Sequence, residues 1–171
     1  VMIVVETTLR SIFSQLPDVT INGDVYPVNF DWGSQKDCNL RLASFGKTSN
    51  NYPLIWMVQT KEKHNTAKHT AEKNLKLIIA VNSKHKNSGN PKVWDTEFVD
   101  VLNPLAANVI KALEKSGVTT IINSEFDLDK KANYSETDET KTYTIDNWNV
   151  VVFEGKVRFD DTGNCINTIR F

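Results

Sequence analysis

Pro53-Leu54-Ile55-Trp56-Met57-Val58 decides how this chain is read. It is a nearly continuous apolar run, too short for an ordinary helix and bounded by polar residues. Such a run fits a strand buried on both faces, so it is placed at the centre of a sheet. Leu75 to Val81 is a second run of the same kind. Thr60 to Asn74, between them, is polar and rich in lysine, and reads either as a long strand extension or as an exposed loop.

Upstream of these runs, Val5, Leu9, Ile12, Phe13 and Leu16 recur at helical spacing, and Pro17 ends that helix. Val19 to Ile21 and Val25 to Val28 flank Asn22-Gly23-Asp24, a pattern that predicts a β-hairpin, with Pro27 favouring an edge position. Asp31 to Phe45 is expected to hold a short helix, since Cys38, Leu42 and Phe45 share a face. Downstream, the longest helix is expected from about Thr96 to Ser116, with Phe98, Val101, Leu102, Leu105, Val109 and Leu113 as its buried stripe. Asp95 or Thr96 can cap its start, Gly117 suits its end, and Pro104 predicts a kink. Val118 to Phe126, Tyr143 to Ile145, Val150 to Phe153 and Val157 to Phe159 read as strands.

Two groups of strands with a long helix between them imply an α+β fold: a mainly antiparallel sheet with helices packed on one face. The 171 residues fit one domain, 1–171, with an exposed charged insert at about 127–141. Hydrophobic residues make up 40% and charged residues 24%, which is globular composition. The formal net charge of −1 argues against a strong sequence-independent DNA binder. No run of about 18 apolar residues suggests a membrane span, and Val1 to Val5, followed by Glu6, does not read as a signal peptide. Cys38 and Cys165 stand far apart, as free thiols in a reducing compartment would.

Motifs for chemistry are few. His64 and His69 are five apart, a spacing that turns two rings away from each other on a helix, and His85 is isolated. Asp127, Asp129, Glu136, Asp138 and Glu139 form an acidic insert, but Lys130 and Lys131 interrupt it and no glycine supplies a calcium-loop turn. No nucleophile elbow and no phosphate-binding glycine loop is present. The expectation is therefore a protein with no catalytic residues, no metal and no cofactor. Lys61, Lys63, Lys68, Lys84 and Lys86 mark a basic loop surface without interleaved aromatics. It reads as a solvated face or as a rim that meets an acidic partner surface. Of four tryptophans, Trp56 and Trp148 belong to core strands, whereas Trp32 and Trp94 lie beside turns and are candidate interface anchors.

Several stretches together carry a family resemblance: the N-terminal helix, Phe30-Asp31-Trp32-Gly33, Tyr52-Pro53-Leu54-Ile55-Trp56, the long helix before a variable insert, and Asp146-Asn147-Trp148. In element order the chain resembles the small neck and tail-completion proteins of tailed bacteriophages, particularly tail terminators. That resemblance implies a structural virion subunit, assembled in the host cytoplasm, that forms a ring, commonly a hexamer. Its neighbours would meet through sheet edges and long loops. The ring would join tail tube to neck or connector proteins and let DNA pass through its lumen, with no membrane partner. A twelve-fold connector ring is the short-tailed variant. The acidic insert would then be an arm toward a neighbour or the tube, and the longer basic region leaves orientation in the ring open. A small intracellular binding module of adaptor or immunity type is the second reading. An enzyme using Cys38 or a histidine is the third.

Overall fold

A computed structural model describes residues 2–38, 51–83, 94–134, 147–161 and 165–171. The expected helix forms as α1, Val5–Phe13, and buries Val5, Leu9, Ile12 and Phe13. Strands β1, Val19–Ile21, and β2, Asp24–Tyr26, make the expected hairpin. Asn22 and Gly23 both take positive φ at its turn, 54° and 91°, as a tight hairpin requires. Pro27 falls just past β2 and so disturbs no ladder.

The second expected helix is corrected at its start. Asn29–Gly33 is strand β3, paired in parallel with β4, Leu54–Val58. Helical residues follow only at 35–38. Ser34 explains the shift. Its backbone N and Oγ both donate to the Asp37 carboxylate, at 2.9 and 2.6 Å, and Asp37 N donates back to Ser34 Oγ at 3.0 Å. This reciprocal cap fixes the helix start and frees Asp31 and Trp32 to pair as a strand. The same bonds hold the Asp37 carboxyl below its ordinary pKa.

The polar segment before Leu75 is a strand extension that folds back on itself. β5, Glu62–Asn65, pairs antiparallel with the first residues of β6, Thr70–Ser83. The last strands are β7, Thr119–Lys131, and β8, Asn147–Asp160. Sheet order is β3-β4-β6-β8-β7, with β5 beside β6, and every pair except β3-β4 is antiparallel. The α+β fold is thus as expected.

The period-2 alternation of strands sends this sheet into two environments. On one face, Ile55, Met57, Leu75, Leu77, Ile79, Val151, Phe153, Val157 and Phe159 pack under the helices. Those helices are α1, a π-type segment Trp94–Leu102, and α2, Asn103–Lys115. All six expected stripe residues of the long helix are buried. Pro104 marks a change of pitch rather than a kink in one uniform helix. It sits in the first turn of α2, where proline is favoured, and the wider π-type turns run up to it. Gly117 ends α2 with φ 77°, as expected. The buried Ser116 hydroxyl accepts from Val118 N and Thr119 N at 3.3 and 3.2 Å, closing the exit into β7.

The opposite face is apolar over only half its length. There Leu54, Trp56, Ile78, Ala80, Trp148, Val150 and Val152 pack with Cys38, Tyr52 and Tyr134. Beyond Ile78 and Val152 the same face carries Lys76, Asn74 and Glu72 on β6, and Glu154, Lys156 and Arg158 on β8. Lys76 meets Glu154 at 2.9 Å and Lys156 meets Glu72 at 3.0 Å across the strands. Lys156 and the nearby Lys63 and Arg158 charges hold the Glu72 carboxyl below its ordinary pKa.

Gly33 lies where β3 turns toward Ser34. A Cβ there would stand 2.8 Å from Trp56 Cζ2. Trp56 is buried and packed on its far side, so it has little room to yield. Gly33→Ala is expected to lower stability by roughly 1–3 kcal/mol through overpacking. Urea unfolding followed by tryptophan fluorescence measures this, and an unchanged midpoint would contradict it.

Candidate interaction surface at the sheet edge

The expected acidic arm is partly strand. Asp127 and Asp129 lie on β7, opposite Glu154 and Val152 of β8, so they do not sit on a protruding loop. The reason is register. Phe126, Leu128 and Lys130 alternate with these acids and fall opposite Gly155, Phe153 and Val151, which extends the ladder well past Phe126. Glu136, Asp138 and Glu139 lie outside the described residues, as do Lys84, Lys86 and His85.

β7 reaches this position through a bulge. Between Ile121, opposite Val157, and Phe126, opposite Gly155, five steps along β7 match two along β8. Asn123 and Ser124 absorb the excess with φ 58° and 55°. Gly155 makes room, since a Cβ there would lie 3.2 Å from Phe126 Cβ. Phe126 then stacks on Phe153 with centroids 5.5 Å apart.

After the bulge β7 leaves the shelter of the helices. Residues 123–130 are exposed throughout, and Phe126 and Leu128 keep 36% and 42% of their surface. Among the described residues β7 is bonded on one side only. The result is a long open edge with an apolar row on one face and Asp127 and Asp129 on the other. Soluble proteins usually shorten, cover or charge such edges. Here the bulge and the charges of Glu125, Asp127, Asp129, Lys130 and Lys131 are such devices, and Lys131 is drawn to Asp129 at 3.4 Å.

The two candidate tryptophans differ. Trp32 is half-buried against the helix-side core, with the Arg10 guanidinium 4.5 Å from its ring centroid. It holds β3 under α1, as does Phe30, whose ring meets Phe13 edge-on at 5.2 Å. Trp94 stacks on the buried Phe98 at 4.2 Å but stays 43% exposed, with Val99 open beside it. Glu97 pins this end of the helix to the sheet. It accepts from Ser83 Oγ at 3.0 Å and from the buried Asn149 amide.

The basic surface is divided. Lys61, Lys63 and Lys68 are exposed around β5 and its turn. Lys73 and Lys76, from the same lysine-rich stretch, are not free charges. Lys73 is 2% exposed, and its Nζ donates to Glu62 Oε1 at 2.9 Å and to Thr60 O at 3.2 Å. Glu62 also meets His64 Nε2 at 3.1 Å. Nothing in the sequence distinguishes Lys73 from its neighbours except parity, which places it with Ala71 and Leu75 on the helix side.

No cluster of three His, Cys, Asp or Glu placed to hold a metal occurs among the described residues. A cleft of about 390 Å³ lies between the start of α1 and the C-terminal segment, lined by Thr7, Ser11, Asp160 and Ile166 among others. The Thr8 and Ser11 hydroxyls there bond their own helix, and Asp160 meets Arg158 at 3.2 Å. No described helix is long and apolar enough to cross a membrane.

Cys38 is buried, and burial pushes its thiol up to about 12, whereas Cys165 is exposed. A thiol so protonated is a poor nucleophile. In native protein at pH 8, a thiol reagent is expected to label one cysteine quickly, Cys165, and to reach Cys38 only on unfolding. Rapid native labelling of Cys38, read by peptide mass spectrometry, would contradict this and revive the enzyme reading.

Lys73 gives a second measurable consequence. Glu62→Ala strands a buried ammonium and is expected to cost about 3 kcal/mol. Lys73→Met combined with Glu62→Gln is expected to cost less than Glu62→Ala alone. Thermal unfolding of the two variants decides the point, and equal losses would mean that the charge pairing is immaterial.

No protein-family model matches this chain, and no curated protein is significantly similar to it.

Proposed function

We propose that this chain is a self-assembling structural subunit of a tailed-bacteriophage virion. In this reading it forms a tail-terminator or neck ring that joins tail tube to connector, with DNA passing through the lumen and no catalytic role. The observation that supports assembly is the open β7 edge. A 13-residue edge strand with exposed Phe126 and Leu128 is an aggregation hazard unless another chain covers it. The phage assignment rests on the order of elements and on the quoted sequence stretches. The twofold division of the sheet fits a ring subunit, because one face is filled by the protein's own helices while, among the described residues, β3 and β7 are bonded on one side only.

Sedimentation velocity and negative-stain imaging test this reading. The expected outcome is a ring of several copies, or a monomer that forms rings on added tail tube. A strict monomer that binds neither tube nor connector proteins would rule it out. The second reading, a small intracellular binding module, is favoured by one observation, the exposed Trp94 stacked on Phe98 beside Val99. A one-to-one complex with a soluble protein, lost in Trp94→Ala, would select it.

A further inference from the structure

Asp127 is surrounded by its own sign of charge. It stands directly opposite Glu154 of β8. By alternation Glu125 and Asp129 flank it on the same face of β7. Like charges set opposite each other weaken a ladder. The cations of this face are committed elsewhere. Lys131 is drawn to Asp129 at 3.4 Å, Lys76 to Glu154 at 2.9 Å, Lys156 to Glu72 at 3.0 Å and Arg158 to Asp160 at 3.2 Å. Among the described residues no cation forms an ion pair with Glu125 or Asp127. Both acids are exposed, on a strand bonded on one side only.

The other face of the same edge is apolar, with Phe126 and Leu128 open beyond the helices. Two rows therefore border the open side of β7. A strand laid along this edge meets both at once, because its own side chains also alternate. It is favoured when cations fall opposite Glu125 and Asp127 while apolar side chains fall opposite Phe126 and Leu128. The two demands make one pattern, cation and apolar residue in turn.

No described edge strand of a second copy has that pattern. β3 would bring Phe30 and Trp32 to the apolar row but Asp31 to the acids. β5 would bring Lys61 and Lys63 to the acids but Glu62 to the apolar row, and Glu62 is held by Lys73 at 2.9 Å. The β1-β2 hairpin, residues 19–26, carries no cation. Two β7 strands about a dyad oppose acid to acid. Centred on Phe126, Glu125 meets Asp127, and centred on Leu128, Asp127 meets Asp129. Centred on Asp127 or Asp129, that acid meets itself. The acids thus keep copies of this chain off the edge and leave it to a different polypeptide.

Resting on the reading that another chain covers β7, we propose that this edge takes a strand of a partner protein in which lysine or arginine alternates with apolar residues. Its cations lie against Glu125 and Asp127, and its apolar side chains lie beside Phe126 and Leu128. Backbone bonds to the open edge supply affinity and the two rows supply selectivity. Contacts between copies then use other surfaces.

A fluorescein-labelled peptide that alternates lysine and valine is the probe, read by anisotropy against the full chain. One control has the same composition with lysines and valines in separate blocks, and the other alternates glutamate and valine. The alternating Lys-Val peptide is expected to bind about tenfold tighter than either control. Asp127→Lys is expected to weaken its binding about tenfold. The same variant is expected to raise the thermal midpoint by about 1–3 °C, since repulsion from Glu154 is relieved. Glu125→Lys combined with Asp127→Lys should reverse the preference, taking the Glu-Val peptide over the Lys-Val one. Equal binding of the alternating and blocked peptides means charge attraction without strand pairing, and overturns the inference. Unchanged binding or a lowered midpoint in Asp127→Lys overturns it too.

Sedimentation of the same samples separates this inference from self-assembly. An assembling wild type that binds no peptide overturns the inference alone. Loss of assembly in Asp127→Lys gives the edge to a second copy, which overturns the inference and leaves the self-assembly reading standing. Selective peptide binding by a wild type that stays monomeric, with and without tube, supports the inference and removes the self-assembly reading.

Discussion

The pairing of β6 with β8 is the constraint on which the rest of the structure depends. These strands match over 14 consecutive residue pairs, from Thr70 opposite Asp160 to Ser83 opposite Asn147. With a side-chain period of two, one register fixes both faces at once. A slip by one residue would turn over one strand against the other, sending either Leu75, Leu77 and Ile79 or Val151, Phe153 and Val157 away from the helices. It would also bring either Glu72 and Lys76 or Glu154 and Arg158 to the buried side. That cost holds the register along the whole length, and β4, β5 and β7 are then placed by pairing onto this spine. The charged rows on the open half add to the same choice, since the native register opposes Lys76 with Glu154 and Glu72 with Arg158.

Much of this was legible in the sequence because burial writes itself as pattern. In β6 the residues alternate up to Lys76 and become continuously apolar from Leu77 to Val81. In β8 the run Val150 to Phe153 is continuous, and alternation begins at Glu154. Lys76 and Glu154 are register partners. The change from one-sided to two-sided burial thus occurs at one level of the sheet and is visible in both strands. The long helix was equally legible, since its stripe sets the period. So was the hairpin, whose Asn-Gly turn needs positive φ.

What escaped the sequence reading was decided by partners distant in the chain. Asp31 to Gly33 lies close to a helix and shows no alternation of its own, and only the β4 edge and the Ser34 cap make it a strand. Asp127 to Lys131 reads as a charged loop because neither face is buried by helices, so its strand character comes entirely from the β8 ladder. Lys73 looks like one more solvated lysine until Glu62 and Thr60 fold over it. The candidate surface was legible only in part. Composition marked the acids of the insert, but the apolar row of Phe126 and Leu128 was hidden among them.

The open edge also follows from the bulge. Had β7 continued in step past Ile121, its register would have carried residues 123–125 along β8 toward Phe153, and Asn123 would have stood where Gly155 now meets Phe126. The extra residues at Asn123 and Ser124 delay the strand, so that Phe126 arrives opposite Gly155 and Leu128 opposite Phe153. The bulge therefore selects which residues the outer strand presents. It exchanges a polar stretch for an apolar one at the point where the helices no longer cover the sheet. A device that ordinarily blunts an edge here brings two large apolar side chains to it.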